Sequence, residues 1–565
     1  MLYIQQCVTS CDCFTRSSNM IPLNGLLVLF FQILSLQDVN SDVFSSVYKL
    51  KLLATKEGRL LEIFKEYKES ICSGNNIMSA PLNRLYKQLE HTVNVSSRDE
   101  SYQENPLNIL HLLHRYLHKW PLVLENVFCD CCLISEPERD FASAYNKFKE
   151  DCDDWPIEYD LQGAVRSLLR LRTTYVLDID KLITGEIHEE KSEALPWDLL
   201  ELILIETEAL EMLDETIQWC DSILNSFQNT LTEDSNIFRI SIIQIKARIY
   251  HKASFTRNAA KLLEEFKEEG PLSVKEDYQL YVKESTDNVE NSDEVVSVRD
   301  WPLHKREIDN HEKQLCRGKQ KKSTQESSHL HCYYSNTRIP YFKAKAEEMN
   351  KDPKIFVFHD VIYEHEIILL KREASKTFER SGLQQYGKRL DNSDDIRLSY
   401  NGWVWSTDST TRRVDHRIQL LTGLDTTERS LLSSSEPYQV VNYGIGGFFN
   451  VHRDNLYNPI WGPPQDEDLE IVRGSGDRIA TWIFYMDDVR EGGATIFPEL
   501  NTRIPVEKGA AAFWYNLLPN GDIDPRLEHG GCPVLLGSKW ISNKWIREEG
   551  QMFRRPCRLQ YNATI

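Results

Sequence analysis

The chain has little positive charge for its length. Its 565 residues include 66 Lys and Arg against 86 Asp and Glu, which gives a formal net charge of −20 at pH 7. A general nucleic-acid binder needs a basic face, so this composition argues against that class of protein. The length exceeds the size at which single hydrophobic cores stop growing, and we therefore expect several domains.

Long hydrophobic runs are also scarce. Residues 23–36 form the one long apolar run, and it is shorter than the roughly 20 residues that a transmembrane helix needs. A run of this length is typical of a signal peptide. We therefore predict a targeting segment over residues 1–37 and no transmembrane span. Translation from Met20 would give a more ordinary signal peptide, and a buried helix is the alternative interpretation.

Cysteine, in contrast, is not scarce, with 13 residues in the chain. Together with a signal peptide, this number favours an oxidising compartment. Asn94 and Asn562 each open an Asn-x-Ser/Thr motif, which is a glycosylation acceptor in the secretory pathway. The chain ends without a Lys-Asp-Glu-Leu signal, so retention in the endoplasmic reticulum is expected to depend on something other than such a signal.

The most informative chemical motif is His452-Arg453-Asp454, taken together with His529. Two imidazoles and one carboxylate form the facial triad that holds Fe(II) on one side and leaves the other side open. Residues two apart on a strand point to the same face, so His452 and Asp454 can share one metal. An isolated His-x-Asp is expected by chance in a chain with 15 His. The surrounding sequence must therefore decide whether this motif binds a metal.

That surrounding sequence predicts a β-rich fold. Residues 439–443 indicate a strand, and the glycines at 444, 446 and 447 indicate a turn before the His-x-Asp motif. A second apolar run covers residues 510–517, and His529 follows it ahead of a third run. Several short strands separated by Gly and Pro are typical of a β-sandwich or a jelly roll.

Four segments of the C-terminal third match a known pattern: Arg478–Met486, Gly492–Pro498, Phe513–Asn516 and Cys532–Cys557. Through them, residues 351–558 resemble the catalytic domain of the collagen prolyl 4-hydroxylase α subunits. The resemblance implies a double-stranded β-helix, or jelly roll, that uses Fe(II), 2-oxoglutarate, O₂ and L-ascorbate.

The resemblance also assigns roles to individual residues. The residues that match catalytic positions are His452, Asp454, His529 and Lys539. The first three match the iron ligands, and the lysine matches the residue that pairs with the distal carboxylate of 2-oxoglutarate. Tyr443 and Thr495 are further candidates for the cofactor pocket, or else a core tyrosine and a strand threonine. The cysteine pairs that match disulfides of the family are Cys316–Cys332 and Cys532–Cys557.

Residues 38–150 are predicted to be helical. Leu60, Phe64, Tyr67 and Ile71 step by four, three and four residues, which gives either a seam for a partner helix or an ordinary bundle face. The resemblance favours the seam, because this region of the family is a helical dimerisation module.

Residues 155–270 resemble the family's peptide-substrate-binding domain, a stack of tetratricopeptide (TPR)-like helix pairs whose groove holds polyproline II against aromatic rings. The candidate platforms here are Tyr175, Trp219 and Tyr250. Residues 205–213 carry acids and aliphatics where the family has tyrosines, so weak polyproline binding and a preference for basic peptides are expected. Residues 271–350 are predicted to be a linker that contains a disulfide.

The sequence thus predicts a multidomain α + β protein of the endoplasmic-reticulum lumen, a procollagen-proline 4-dioxygenase α subunit. The resemblance implies hydroxylation of proline C4 in collagen-like peptides, with 2-oxoglutarate converted to succinate. It further implies protein disulfide isomerase as a β subunit in an α2β2 tetramer. The alternatives are a hydroxylase of non-collagen secretory proteins and a non-catalytic peptide-binding relative. The intact set of four catalytic positions argues against the non-catalytic relative.

Overall fold

The structure is a computed structural model. It describes residues 42–73, 77–99, 101–128, 135–226, 233–268, 270–287, 310–320, 322–337, 341–385, 388–390, 396–429, 433–456 and 474–558. The predicted targeting segment and the acceptor Asn562 lie outside the described residues. Within these residues, no helix combines the length and the apolar composition that crossing a membrane requires.

Helices make up most of the first half of the described chain, and strands make up most of the second half. The helices are α1 (Val47–Ser73), α2 (Ala80–Arg98), α3 (Pro106–His114), α4 (Trp120–Phe128), α5 (Glu136–Glu150), α6 (Glu158–Tyr175), α7 (Ile179–Ile183), α8 (Trp197–Ala209), α9 (Leu213–Ser226), α10 (Glu233–Lys252), α11 (Thr256–Leu263), α12 (Leu272–Asp287), α13 (His311–Cys316), α14 (Thr324–Ser328), α15 (Glu364–Ala374) and α16 (Ser409–Thr422). The expected helical N-terminal region and strand-rich C-terminal domain are therefore confirmed.

The strands are β1 (Glu186–Ile187), β2 (Glu190–Lys191), β3 (Cys332–Asn336), β4 (Lys343–Lys351), β5 (Lys354–His359), β6 (Glu379–Arg380), β7 (Leu383–Gln385), β8 (Lys388–Leu390), β9 (Tyr400–Val404), β10 (Tyr438–Asn442), β11 (Phe449–His452), β12 (Arg478–Tyr485), β13 (Val489–Gly492), β14 (Thr495–Phe497), β15 (Thr502–Ile504), β16 (Ala511–Tyr515), β17 (His529–Gly531), β18 (Val534–Gly537) and β19 (Trp540–Arg547). Nine of them form a large sheet in the order β3-β4-β5-β16-β12-β19-β10-β9-β6, and four form a smaller sheet in the order β11-β17-β14-β15.

The strand-rich region starts earlier than residue 351, where the sequence analysis placed its boundary. Strands β3 and β4 belong to the large sheet, although both begin in the predicted linker. Helix α12 likewise extends the helical region past residue 270. Residues 271–350 were predicted to be a linker from their charged composition. An edge strand such as β3 exposes most of its side chains, so its sequence can be as polar as that of a linker.

The described chain divides into two compact units. One contains Leu52–Asp99 and His114–Glu158, and the other contains Phe44–Lys51, Glu100–Leu113 and everything from Tyr159 onward. The first unit is a helical bundle around buried aromatic residues. The rings of Tyr86, Trp120 and Phe141 all pack against Phe64.

The prediction of a partner-helix seam on α1 is wrong for three of its four residues. Leu60, Phe64 and Tyr67 are buried by the helices of their own unit. The alternative interpretation, an ordinary bundle face, is the correct one. A heptad-like spacing shows only that one face of a helix is apolar, and a neighbouring helix of the same chain can cover that face as well as a partner can.

The three aromatic side chains predicted as peptide platforms are also not surface platforms. Trp219 has 0% of its surface exposed, and Tyr250 belongs to the hydrophobic core formed by α9 to α12. The hydroxyl group of Tyr175 donates to the carbonyl oxygen of Pro533, at 2.5 Å. Because an aromatic residue stabilises a core as readily as it binds a ligand, residue type alone did not distinguish the two uses.

Two of the three acidic residues in segment 205–213 already have cationic partners within the protein, whereas Glu211 is exposed. Glu206 is buried and accepts a hydrogen bond from Arg166 Nε at 2.7 Å. Glu208 accepts from both Arg248 and Lys252. Both carboxylates are therefore already paired with cations of the same unit.

The disulfide prediction is wrong as well. Cys316 is bonded to Cys532, with a Cα–Cα distance of 5.6 Å, while Cys332 and Cys557 are free and exposed. The bond joins the end of α13 to the residue that follows β17. Spacing along the chain does not determine which cysteines meet, because pairing requires Cα atoms less than about 7 Å apart.

A short N-terminal segment is part of the second unit and contacts strand β10. Ser46 Oγ donates to Asn442 Oδ1 at 2.7 Å, and the backbone N–H of Tyr48 donates to the same oxygen at 3.0 Å. The amide nitrogen of Asn442 in turn donates to the carbonyl oxygen of Lys539 at 3.2 Å. The segment therefore stabilises the ends of the two adjacent strands β10 and β19.

Candidate metal centre and co-substrate pocket

Two neighbouring strands of the smaller sheet bring the predicted metal ligands together. Strands β11 and β17 pair antiparallel, and His452 lies directly opposite His529. Asp454 follows β11 by two residues, as the alternation of side chains along an extended chain requires. The three side chains form the one cluster of potential metal ligands among the described residues, with their ligand atoms within 4.8 Å of one another.

The hydrogen bonds of the two histidines leave the same ring nitrogen available in each. Nδ1 of His452 donates to the carbonyl oxygen of Asn450 at 2.8 Å, and Nδ1 of His529 donates to that of Leu527 at 3.1 Å. Both Nε2 atoms therefore face Asp454, at 3.6 Å and 3.5 Å from its carboxylate oxygens. This tautomer is the one that a metal-ligating imidazole adopts when the other nitrogen donates to a carbonyl group.

The protonation states also suit metal binding. Burial lowers the pKa of His529 to about 4, so its imidazole is neutral at neutral pH. Burial alone would raise the pKa of Asp454, but His529, His452 and the Thr481 hydroxyl group together lower it well below the usual value. A neutral imidazole and a carboxylate are the forms that bind a divalent cation.

Two residues that the sequence analysis did not select orient the carboxylate. Thr481 Oγ1 donates to Asp454 Oδ2 at 2.6 Å, and Asn516 Nδ2 donates to Thr481 Oγ1 at 2.9 Å. They lie on β12 and just after β16, which are adjacent in the large sheet. The one signal in the sequence was a polar residue within the otherwise apolar segment Ile479–Phe484, and it carried no motif.

Lys539 is a buried cation beside the metal-binding side chains. Only 2% of its surface is exposed, and its Nζ lies 4.7 Å from the centroid of the Tyr443 ring. None of the described carboxylates forms an ion pair with it, and burial lowers its pKa to about 7. A buried amine without an anion is costly, and a carboxylate from a ligand would remove that cost.

The remaining predicted pocket residues lie in the same cavity. Tyr443 and Thr495 line it together with Lys539 and the metal-binding side chains. Thr495 Oγ1 and the Tyr485 hydroxyl group share a hydrogen bond of 2.9 Å. The structure thus brings together every predicted residue of the metal and co-substrate site, whereas it places the predicted peptide platforms elsewhere.

Arg397 is a second buried cation of the cavity that the sequence analysis did not identify. Its guanidinium group lies 4.7 Å from the centroid of the Phe449 ring, and its Nε donates to Ser399 Oγ at 3.0 Å. The residue is buried in the cavity wall. It follows a charged segment with no recognisable motif, so sequence spacing gave no indication of its location.

These residues fit both groups that the predicted chemistry needs. Two imidazole nitrogens and one carboxylate on one side of a buried space are the donor set of an Fe(II) facial triad. The amine of Lys539 is the counterion that a dicarboxylate such as 2-oxoglutarate requires at its distal end. A strand-rich domain with this metal site and this cation defines the class of 2-oxoglutarate- and Fe(II)-dependent dioxygenases.

Two family models agree with this class. Residues 46–189 match the family model of the prolyl 4-hydroxylase alpha-subunit N-terminal region. Residues 438–547 match the model of the 2OG-Fe(II) oxygenase superfamily. Among solved structures, that of a viral collagen prolyl hydroxylase from Paramecium Bursaria Chlorella virus-1 in complex with 2OG is 23% identical and covers 34% of this chain and 95% of its own, with a TM-score of 0.26.

Curated relatives match nearly the whole chain. Prolyl 4-hydroxylase subunit alpha-1 of Gallus gallus is 30% identical over 92% of this chain and 99% of the relative. Subunit alpha-3 of Homo sapiens is 30% identical over 91% and 94%. The chain belongs to the prolyl 4-hydroxylase α-subunit family. The predicted resemblance is confirmed, and with it the 2-oxoglutarate- and Fe(II)-dependent dioxygenase activity.

The pKa of Lys539 leads to a pH prediction. Its ordinary value is 10.5 and burial lowers it to about 7, so the free enzyme loses the ammonium charge above pH 7. Binding a carboxylate restores that charge and takes up a proton. The Kd for 2-oxoglutarate should therefore rise by up to about tenfold per pH unit above 7. Anaerobic calorimetric titration with Fe(II) between pH 6.5 and 8.5 measures this.

The control for that titration is Lys539→Arg. A guanidinium group stays charged over the whole range, so this variant should show a much flatter dependence even if its affinity is lower. A wild-type profile as flat as that of the arginine variant would contradict the assignment of the titrating group.

Proposed function

We propose that the protein hydroxylates C4 of prolyl residues in collagen-like peptides. The observation that carries this proposal is the single cavity in which His452, Asp454, His529 and Lys539 meet, in a chain of this family. A non-catalytic relative would have no reason to keep a buried lysine without an ion-pair partner among the described residues beside three metal ligands, since a buried amine without an anion lowers stability.

The protein's own part in the reaction is binding and orientation. When bound, Fe(II) and 2-oxoglutarate would supply the oxidising chemistry, in which 2-oxoglutarate is converted to succinate and CO₂, one oxygen atom of O₂ entering succinate and the other a C–H bond of the substrate. We propose that the two histidines and Asp454 hold the metal from one side. Lys539 pairs with the distal carboxylate, and Thr481 keeps the Asp454 carboxylate in one orientation. Apolar side chains such as Ile483 and Ile541 line the cavity and exclude water.

Aromatic faces at the rim of the cavity support a prolyl substrate. Trp545 lines the cavity, and the ring of Trp403 lies 6.2 Å from it with 38% of its surface exposed. Trp403 is paired with Gln439, another lining residue, so both point to the same face of the large sheet. Flat aromatic rings are the surfaces on which proline-rich peptides stack.

The same proposal includes the finer architecture. The two antiparallel sheets share a hydrophobic core that contains Val441 and Ile541 from the large sheet and Phe497 and Ile504 from the small one, which supports a jelly roll. Helices α8 to α12 pack each against the next, which supports TPR-like pairs. We propose residues 52–99 and 114–150 as an N-terminal helical domain, 155–287 as the helix-pair domain and 332–558 as the catalytic domain.

The cellular setting is proposed on the same basis. The curated relatives are named as α subunits, and we propose that this chain pairs with protein disulfide isomerase as an α2β2 tetramer in the endoplasmic-reticulum lumen, with ascorbate as reductant. Asn94 is exposed on α2, which makes it accessible for glycosylation.

The test is turnover by the purified enzyme with a Pro-Pro-Gly repeat peptide. We expect 2-oxoglutarate consumption to rise on adding the peptide, and mass spectrometry to find one extra oxygen on proline. The control is a peptide of equal length with alanine in place of proline. Hydroxylation of another residue type, or succinate formation that does not respond to the peptide, would contradict the proposal.

A further inference from the structure

The last residue of helix α6 is partly buried in the second unit. Tyr175, its last residue, packs against the buried cluster that contains Ala494, Ile496 and Cys532. Its hydroxyl group donates to the carbonyl oxygen of Pro533 at 2.5 Å. Burial raises the pKa of this phenol well above its ordinary value, so it acts as a neutral donor at every physiological pH.

The carbonyl group that accepts this hydrogen bond is bound by the glycine turn that packs against the side chain of Lys539. The backbone N–H of Gly493 donates to the same Pro533 oxygen at 3.0 Å. A Cβ atom added to Gly492 would lie 2.8 Å from the Tyr175 hydroxyl oxygen, and one added to Gly493 would lie 3.3 Å from Lys539 Cδ. The two glycines therefore separate Tyr175 from Lys539 by little more than one layer of backbone.

The same helix also contacts the glycine turn that precedes β11. A Cβ atom added to Gly446 would lie 2.9 Å from the Ser167 carbonyl oxygen on α6. One turn further along α6, the guanidinium group of Arg170 lies 4.1 Å from the centroid of the Phe448 ring. This glycine turn leads into β11, which carries His452. Helix α6 thus packs against both loops that position the metal and co-substrate residues.

The end of α6 is anchored a second time. Arg317 donates to the carbonyl oxygen of Thr174 at 3.1 Å, and the preceding residue, Cys316, is bonded to Cys532. Cys532 and Pro533 connect β17, which carries His529, to β18. The end of α13 therefore holds the last turn of α6 through Arg317. The disulfide bond in turn links the end of α13 to the connection between β17 and β18.

We propose that Tyr175 is a positioning residue for the co-substrate pocket and that α6 is an integral part of the catalytic unit. The phenol holds the Pro533 carbonyl group and, through it, the Gly492–Gly493 turn against which Lys539 packs. This inference rests on the proposed function for the identity of the co-substrate site. It assigns to the helical region a role in 2-oxoglutarate binding in addition to any role in peptide binding.

The test is Tyr175→Phe, which removes only the hydroxyl group. We expect the Kd and the KM for 2-oxoglutarate to rise roughly fivefold, the factor that one hydrogen bond of typical strength represents, while the KM for the peptide stays unchanged. Anaerobic titration with Fe(II) gives the Kd, and steady-state turnover gives the two KM values.

Tyr116→Phe is the matched control. Tyr116 is buried, and like Tyr175 it donates its hydroxyl group to a backbone carbonyl oxygen, that of Leu53, at 3.0 Å. Both residues of that bond lie in the first unit. The two variants should lose similar thermal stability, but Tyr116→Phe should leave the Kd for 2-oxoglutarate unchanged. An equal effect of both variants, or no effect of Tyr175→Phe, would overturn the proposal.

A second variant decides the question if Tyr175→Phe does not fold. Arg317→Met removes one anchor of the last turn of α6 and should raise the same Kd by a smaller factor. Failure of the proposed function would give a different result. The wild-type enzyme would then form no hydroxyproline, while the difference in 2-oxoglutarate Kd between Tyr175→Phe and Tyr116→Phe would remain.

Discussion

Replacing His452, Asp454 or His529 by alanine is expected to abolish peptide hydroxylation and to leave the fold intact. Each side chain supplies one of three ligand atoms, all within 4.8 Å of one another, and a site with two ligands holds Fe(II) weakly. The loss should exceed the roughly 10- to 100-fold effect typical of residues that only orient a ligand. Thr481→Val, which removes such an orienting hydroxyl group, should fall within that smaller range.

Calorimetric titration with Fe(II) and peptide turnover together measure this, and circular dichroism checks the fold. His416→Ala is the matched control, because His416 is exposed on α16 and belongs to no metal-ligand cluster of the described residues. It should bind Fe(II) and turn over peptide like the wild type. Turnover close to the wild-type rate in any of the three alanine variants would remove that residue from the proposed ligand set.

The part of the site that could be predicted from sequence is the part whose geometry is local or carried by a motif. His452 and Asp454 are two residues apart on an extended segment, so their common face follows from strand geometry. Lys539 and His529 were found through a resemblance that the whole-chain relatives confirm. Their meeting in one cavity depends on the pairing of β11 with β17 and of β10 with β19, which no single segment specifies.

The predictions that were wrong concern contacts between distant segments. The resemblance favoured Cys316–Cys332, yet α13 lies against β14 and β15 and its cysteine meets Cys532. Trp219 is an aromatic residue on a helix, but the periodicity of apolar residues along a helix does not show which neighbour covers its apolar face. Thr481 was overlooked because its function depends on a carboxylate 27 residues away.

The second large effect is expected at Lys539, whose replacement should weaken 2-oxoglutarate binding and raise the stability of the apo protein. Lys539→Met keeps most of the side-chain volume and removes a buried amine that has no described carboxylate partner. The apo protein should therefore become more stable, because burying an unpaired charge is unfavourable. In contrast, Lys544→Met removes the buried partner of Asp415 and Glu428, and it should destabilise the protein by about 3–5 kcal/mol.

Replacing Lys539, but not Lys544, should weaken the binding of 2-oxoglutarate. Lys539→Met leaves the carboxylate of 2-oxoglutarate buried without a cation, a loss of about 3–5 kcal/mol that corresponds to at least a hundredfold rise in Kd. Fe(II) should still bind, since the three metal ligands are unchanged. Folded Lys544→Met should keep the wild-type Kd, because its ion pairs lie outside the cavity lining. Thermal unfolding and anaerobic titration of both variants measure these outcomes. An unchanged 2-oxoglutarate Kd in Lys539→Met, or a fall in its apo stability like that of Lys544→Met, would show that Lys539 has a structural role and does not bind the co-substrate.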